Sequence, residues 1–203
     1  MIFIKNIKEI ILTCWGDNGM ECDIYSALAA WQLFAEHGYS ESVDPAGVKA
    51  NFRGSCDADY AMWFKASWID LPPQLSSPEK THVNPSKYLL YEDVFLGLWE
   101  PQFEIKGLKK HYADLAKVLS RASRKTPSSS RLKFPAQLSK VLSIKCTLRR
   151  DLVSAYTRKD ESTLRKLLRN ELSSLRREVD RLWKSHRDMW LQTYKPFGLE
   201  VIE

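Results

Sequence analysis

The sequence has no apolar run approaching the roughly 18 residues that cross a bilayer, which excludes a membrane-spanning helix, and no membrane partner is expected. Cysteines are few: Cys14, Cys22, Cys56 and Cys146. Four are too few to staple a chain of 203 residues, and none stands in the Cys-x-x-Cys spacing of a zinc site. A reducing cytoplasm is the simplest setting, and no metal or other cofactor is expected. Lys5 and Lys8 interrupt the first apolar residues, and no small-residue cleavage site follows, so a signal peptide is not expected. Acidic side chains are scarce in one half only. Residues 1–105 carry 7 basic and 15 acidic side chains, net −8, whereas residues 106–195 carry 24 and 8, net +16. Such asymmetry suits an acidic partner such as nucleic acid, but lysines and arginines on the solvated faces of long helices give the same count, and that reading is preferred.

What is present describes an ordinary globular chain, 44% apolar and 28% charged, long enough for one domain or a domain with an appended piece. The stretch most suited to chemistry is 13–21, Thr-Cys-Trp-Gly-Asp-Asn-Gly-Met-Glu. Before it, 7–12 has the β-branched density of a buried strand. Left exposed, that strand would be an unpaired apolar edge and a solubility liability. Trp15 offers a flat apolar face, and Asp17 and Glu21 offer acceptors, the combination that holds a polyhydroxylated ligand. A tight strand-to-helix turn built on Asn18-Gly19 explains the same residues without a ligand, and on spacing alone it is the preferred reading.

Downstream the pattern is helical. Residues 24–37 place Ile24, Leu28, Trp31 and Ala35 on one side, with Asp23 as cap and Gly38 as terminator. Asp44-Pro45 opens a second helix, ended by Gly54. A third over 57–68 steps through Tyr60, Trp63, Phe64 and Trp68, rings expected in the core. Four prolines between 70 and 85 make an irregular crossing. Residues 88–99 are too apolar to face water. Within them Glu92 and Asp93 are read as a turn cap rather than a carboxylate pair for acid-base work.

An amphipathic helix over 107–123 is followed by a hydrophilic break at 123–133 with Pro127 and three serines, the best candidate for a mobile loop. A helix from Pro135 carries Leu138, Val141, Leu142, Leu148, Leu152 and Tyr156 inward. Asp160-Glu161 suits a helix start. Leu164, Leu168, Leu172, Leu175, Val179, Leu182, His186 and Trp190 then form one long seam, with His186 a hydrogen-bonded core residue rather than a metal ligand. Pro196 and Gly198 stop the helix before an extended ending at 197–202. The basic residues interleave with this seam instead of gathering on a glycine- and aromatic-rich surface, which argues against nucleic acid. The seam also allows dimerisation through the long helices.

Four blocks carry a resemblance. Trp15-Gly-Asp-Asn-Gly19 with Glu21, the helix ending Leu33-Phe-Ala-Glu36, Leu89-Leu-Tyr-Glu-Asp93 continuing to Leu96-Gly-Leu98, and the closing Lys195-Pro-Phe-Gly-Leu-Glu-Val201 resemble the C-terminal portion of bacterial β-N-acetylhexosaminidases of glycoside hydrolase family 20. The subgroup resembled carries a helical domain after its (β/α)8 barrel. The resemblance implies a mainly α fold with long antiparallel helices, preceded by the last strands of a truncated barrel. Residues 1–40 would be the barrel remnant and 41–203 the helical domain, with a variable loop near 123–133. Trp15 would wall a pocket for a terminal N-acetylhexosamine once the barrel is completed, and Asp17 would accept from sugar hydroxyls, a role held by Glu in the wider family. Asn18, Gly19 and Glu21 have matching positions without an assigned role.

The family's chemistry uses the 2-acetamido oxygen as nucleophile and an Asp-Glu pair in a His-x-Gly-Gly-Asp-Glu stretch. No such stretch occurs here, so no catalytic residue is expected and the chain alone should be inactive. The alternative is a basic helical module for nucleic acid or protein interaction.

Overall fold

A computed structural model describes residues 9–14, 22–72, 84–97 and 106–202. Among them the architecture is helical, and no strand occurs. Asp23 accepts from Tyr25 N–H and starts a 3-10 turn, Ile24–Ala27, that leads into α1, Leu28–Tyr39. Asp44 accepts from the N–H groups of Ala46 and Gly47, which with Pro45 starts α2, Pro45–Cys56. Asp59 caps α3, Tyr60–Ala66. These caps are the predicted ones or their neighbours, because Asp supplies an acceptor that the first helical turn otherwise lacks. The helix ends move slightly from expectation. α1 runs through Gly38 to Tyr39, and α2 through Gly54 until Asp57 takes a left-handed φ of 48°.

After α4, Pro85–Tyr91, come the long elements: α5, Leu108–Ala122, and α6, Lys133–Thr157. With 25 residues α6 is about 37 Å long, the rod on which the rest is laid. It packs against α5 on one side and α8, Ser173–Thr193, on another. Its adjacent residues Leu142 and Val141 therefore belong to different cores. Leu142 joins Phe52, Trp63, Tyr112, Leu119 and Leu132, while Val141 joins Ile144, Leu148, Leu175 and Leu182. Ser139 and Ser143 of α6 are buried too, and their hydroxyls donate back to the carbonyls of Pro135 and Lys140. Such back-bonding satisfies a polar group inside the helix layer.

Several expectations are corrected. Residues 9–12, the described part of the expected strand, form none, and Ile11 is 83% exposed. A strand needs a ladder partner for its backbone groups, and none of the described residues supplies one. Residues 123–133 are a turn followed by a 3-10 helix, Ser128–Leu132, that runs directly into α6 with Ser129 and Leu132 buried. Thr126 fixes it by donating to Asp57 O at 2.6 Å. Tyr156 is 77% exposed because Ala155, one position earlier, takes the inward line. Phe64 and Trp68 are also largely exposed while Trp63 is buried. The crossing expected over 70–85 lies mostly outside the described residues, as do Leu98 and Trp99.

The long C-terminal seam is not one α-helix. α7, Glu161–Lys166, passes into a π-helix, Leu167–Leu172, before α8. A wider turn shifts the apolar stripe, leaving Leu168 and Val179 exposed while Leu175, Leu182, His186, Met189 and Trp190 face the core. Ser173 Oγ donates to Leu168 O, five residues back, at 3.2 Å. The ending is not extended: Gly198 at φ +88° turns the chain into α9, Leu199–Ile202, and buries Leu199.

Candidate functional site

The two residues singled out for sugar contact, Trp15 and Asp17, lie outside the described residues, as do Asn18, Gly19 and Glu21. Both ends of their segment are described. On the near side, Trp31 of α1 donates its indole N–H to Cys14 Sγ at 3.2 Å. On the far side a polar clamp holds residues 22–25. Asp23, 6% exposed, accepts from Arg131 Nη1 at 2.5 Å, and the same nitrogen donates to Thr193 Oγ1 at 3.1 Å. The Arg131 guanidinium lies 4.1 Å from the ring centre of Tyr25. Tyr194 completes the clamp, its hydroxyl accepting from Ile24 N–H at 2.8 Å and donating to Cys22 O at 3.1 Å. Arg131 precedes α6 and Thr193 ends α8, so residues 22–25 are tied to both long helices. Asp23 and Arg131 are 108 residues apart. No local pattern marks that pairing, and sequence reading missed it.

The other candidates resolve into structural roles. Asp93 Oδ1 accepts from Phe95 and Leu96 N–H, which lowers its carboxyl from the ordinary value, chiefly through Leu96. It is the cap of a turn, as expected. That turn projects Phe95, 80% exposed, and Leu96 outward, against the expectation that this apolar stretch is covered. Lys145 of α6 donates to Leu90 O at the end of α4, and burial lowers its pKa. Gly97 takes φ +61° over the Arg149 side chain, where a Cβ would lie 1.8 Å from Nε. Any other residue there would have to displace Arg149 and hold a left-handed backbone.

Asp160 caps α7, accepting from Thr163 N–H and from the hydroxyls of Thr163 and Ser162, and these bonds hold its pKa down to about 2. His186 is buried between the rings of Phe134 and Trp190, at 5.4 and 5.9 Å. Among the described residues no His, Cys, Asp and Glu group is arranged to hold a metal. Burial pushes the Cys146 thiol up to about 12 and raises the Tyr112 phenol, whose hydroxyl donates to Ile69 O at 3.1 Å.

Two clefts open on the helical layer. One of 340 Å³ lies between the end of α6 and the π-helix and mixes both charges, with Asp151, Arg158, Lys166 and Glu171 among its lining. The other, of 480 Å³, is floored by α6 and walled by α5 and α8, with Lys117, Lys133, Lys140 and Arg181 around it. The cations of the second cleft come from three helices, and sequence spacing gave no sign that they line one cleft.

No curated protein sequence matches the chain. Residues 61–203, which are 143 of the 203, match the family described as Glycoside Hydrolase 20C C-terminal domain. That span begins inside α3 and contains every buried member of the two cores except Ala29, Phe52 and Ala58. The helical layer built on α6 is the matched domain, and the chain belongs to glycoside hydrolase family 20 as a bearer of its C-terminal portion.

Proposed function

We propose that the chain serves a β-N-acetylhexosaminidase-like enzyme as its helical C-terminal support, with the chemistry on a (β/α)8 barrel that residues 1–40 complete. Trp15 walls the pocket for a terminal N-acetylhexosamine, and Asp17 accepts from its hydroxyls. Residues 41–203 brace that wall, and the cysteine usage suits the cytoplasm. The observation that carries the reading is the family match over 61–203, joined to the clamp that ties Cys22–Tyr25 to Arg131, Thr193 and Tyr194. A sugar contact on a barrel rim needs a fixed support, and the clamp supplies one at residues 22–25.

No His-x-Gly-Gly-Asp-Glu stretch is present in this sequence, so no residue here is assigned as general acid. The purified chain is expected not to turn over p-nitrophenyl N-acetylglucosaminide; steady release of nitrophenol that elutes with the protein through two successive columns would overturn the assignment. Homodimerisation is a second reading, favoured by Val179, Trp183 and Leu191, which lie exposed on α8 at multiples of four residues.

A further inference from the structure

The 480 Å³ cleft between α5, α6 and α8 has no part in the sugar reading. Its floor and inner walls are small or hydroxylated: Ala116 and Ala136 are buried, and Ser120 and Ser185 are half-buried. Short side chains leave room for a ligand to approach the helix backbones. Lys117 stands on α5, Lys133 and Lys140 on α6, and Arg181 on α8. The carboxylate lining the cleft is Glu178, 9% exposed, and it is already engaged. Gln137 Nε2 donates to its Oε2 at 2.9 Å and Arg181 Nη1 to its Oε1 at 2.9 Å. Among the described residues no carboxylate lies within ion-pairing distance of Lys117, Lys133 or Lys140.

Four cations face one carboxylate, leaving the cleft at net +3. Converging like charges repel one another, and a concave wall of low dielectric concentrates their field. The arrangement is relieved when an anion enters. The volume falls in the range of a small-molecule site. Lys117 stands on a different helix from Lys133 and Lys140, which are themselves about 10 Å apart along α6, so the three match separate anionic groups rather than one. Ser120, Ser185 and the Gln137 amide add donors or acceptors between them.

We infer that this cleft binds a compact polyanion carrying two or more phosphate or sulfate groups. Lys117, Lys133 and Lys140 contact separate oxyanions, and Glu178 holds Arg181 in place at the rim.

Isothermal titration at low salt uses tripolyphosphate and a trisulfated disaccharide as probes, with inorganic phosphate as the single-group reference. Either probe should bind more tightly than phosphate, and the tighter of the two identifies phosphate or sulfate as the natural group. Lys117→Gln/Lys133→Gln/Lys140→Gln should weaken that binding about tenfold, three partly exposed charge contacts each being worth a few-fold. Lys49→Gln/Arg169→Gln/Arg176→Gln removes the same charge from exposed positions that do not line the cleft and should change binding less than about twofold. Equal losses in the two triple variants would overturn the site in favour of diffuse charge. So would binding to duplex DNA with no binding to either compact probe, or no heat with either probe at low salt. All six substitutions replace exposed side chains, so circular dichroism should report an unchanged fold.

Discussion

Replacing Arg131 by Met tests the clamp that holds residues 22–25. The guanidinium donates to Asp23 and Thr193 and covers the Tyr25 ring, and Asp23 is almost fully buried. Removing one partner of a buried ion pair leaves the other charge without compensation, about 3–5 kcal/mol in a fully enclosed site. Here Arg131 is 26% exposed at its side chain, and Asp23 keeps the Tyr25 N–H, so about 2–3 kcal/mol is expected. Asp23→Asn keeps an acceptor for the cap and should lose about 1–2 kcal/mol. The double variant should lose less than the sum, with a coupling of about 1–2 kcal/mol.

Urea unfolding of the four proteins measures these differences, and hydrogen exchange at Ile24 locates them. That amide donates to Tyr194 and should lose protection in Arg131→Met before α6 does. A coupling below about 0.5 kcal/mol, or unchanged exchange at Ile24 in a destabilised variant, would refute the clamp.

Gly97→Ala should destabilise by about 1–3 kcal/mol, because a left-handed φ and a Cβ inside the Arg149 side chain act together; denaturant unfolding measures it. Asp160 has its carboxyl lowered from 3.8 to about 2 by the Thr163 and Ser162 bonds, so its contribution is complete above 3.8 and disappears as pH falls through about 2. Asp160→Asn should therefore flatten the acid limb of a stability–pH profile. Cys14 and Cys22, exposed, should alkylate readily in the native protein, whereas Cys146, buried with its thiol near 12, should react only on unfolding; mass spectrometry of partially labelled protein reads both.

The helices were legible where local chemistry fixes them. Asp44-Pro45, Asp93 and Asp160 announce caps by residue type alone, and each makes the expected bonds. The amphipathic stripe of α5 was equally plain: Leu108, Tyr112, Leu115 and Leu119 are all buried. Periodicity failed where a helix departs from a regular turn or meets more than one neighbour. The seam from Leu164 to Trp190 reads as one line, yet the π-helix rotates it and sends Leu168 to solvent. Helix α6 turns apolar residues to two cores, so a single-stripe reading misplaces Tyr156. The apolar residues Ile10 to Leu12 suggested a strand from composition, but strand formation depends on a partner edge that composition does not report. The clamp at Asp23 and the cationic cleft join residues from distant parts of the chain. Such sites arise from the topology, and the sequence carried only their charge excess.

The most direct test supplies a family 20 barrel in trans. Hydrolysis of p-nitrophenyl N-acetylglucosaminide by the mixture should appear only with both components, and Asp17→Ala in this chain should raise KM more than it lowers kcat, as expected for a sugar contact remote from the scissile bond. Activity of the barrel that is indifferent to this chain, or a KM indifferent to Asp17→Ala in an active mixture, would contradict the account.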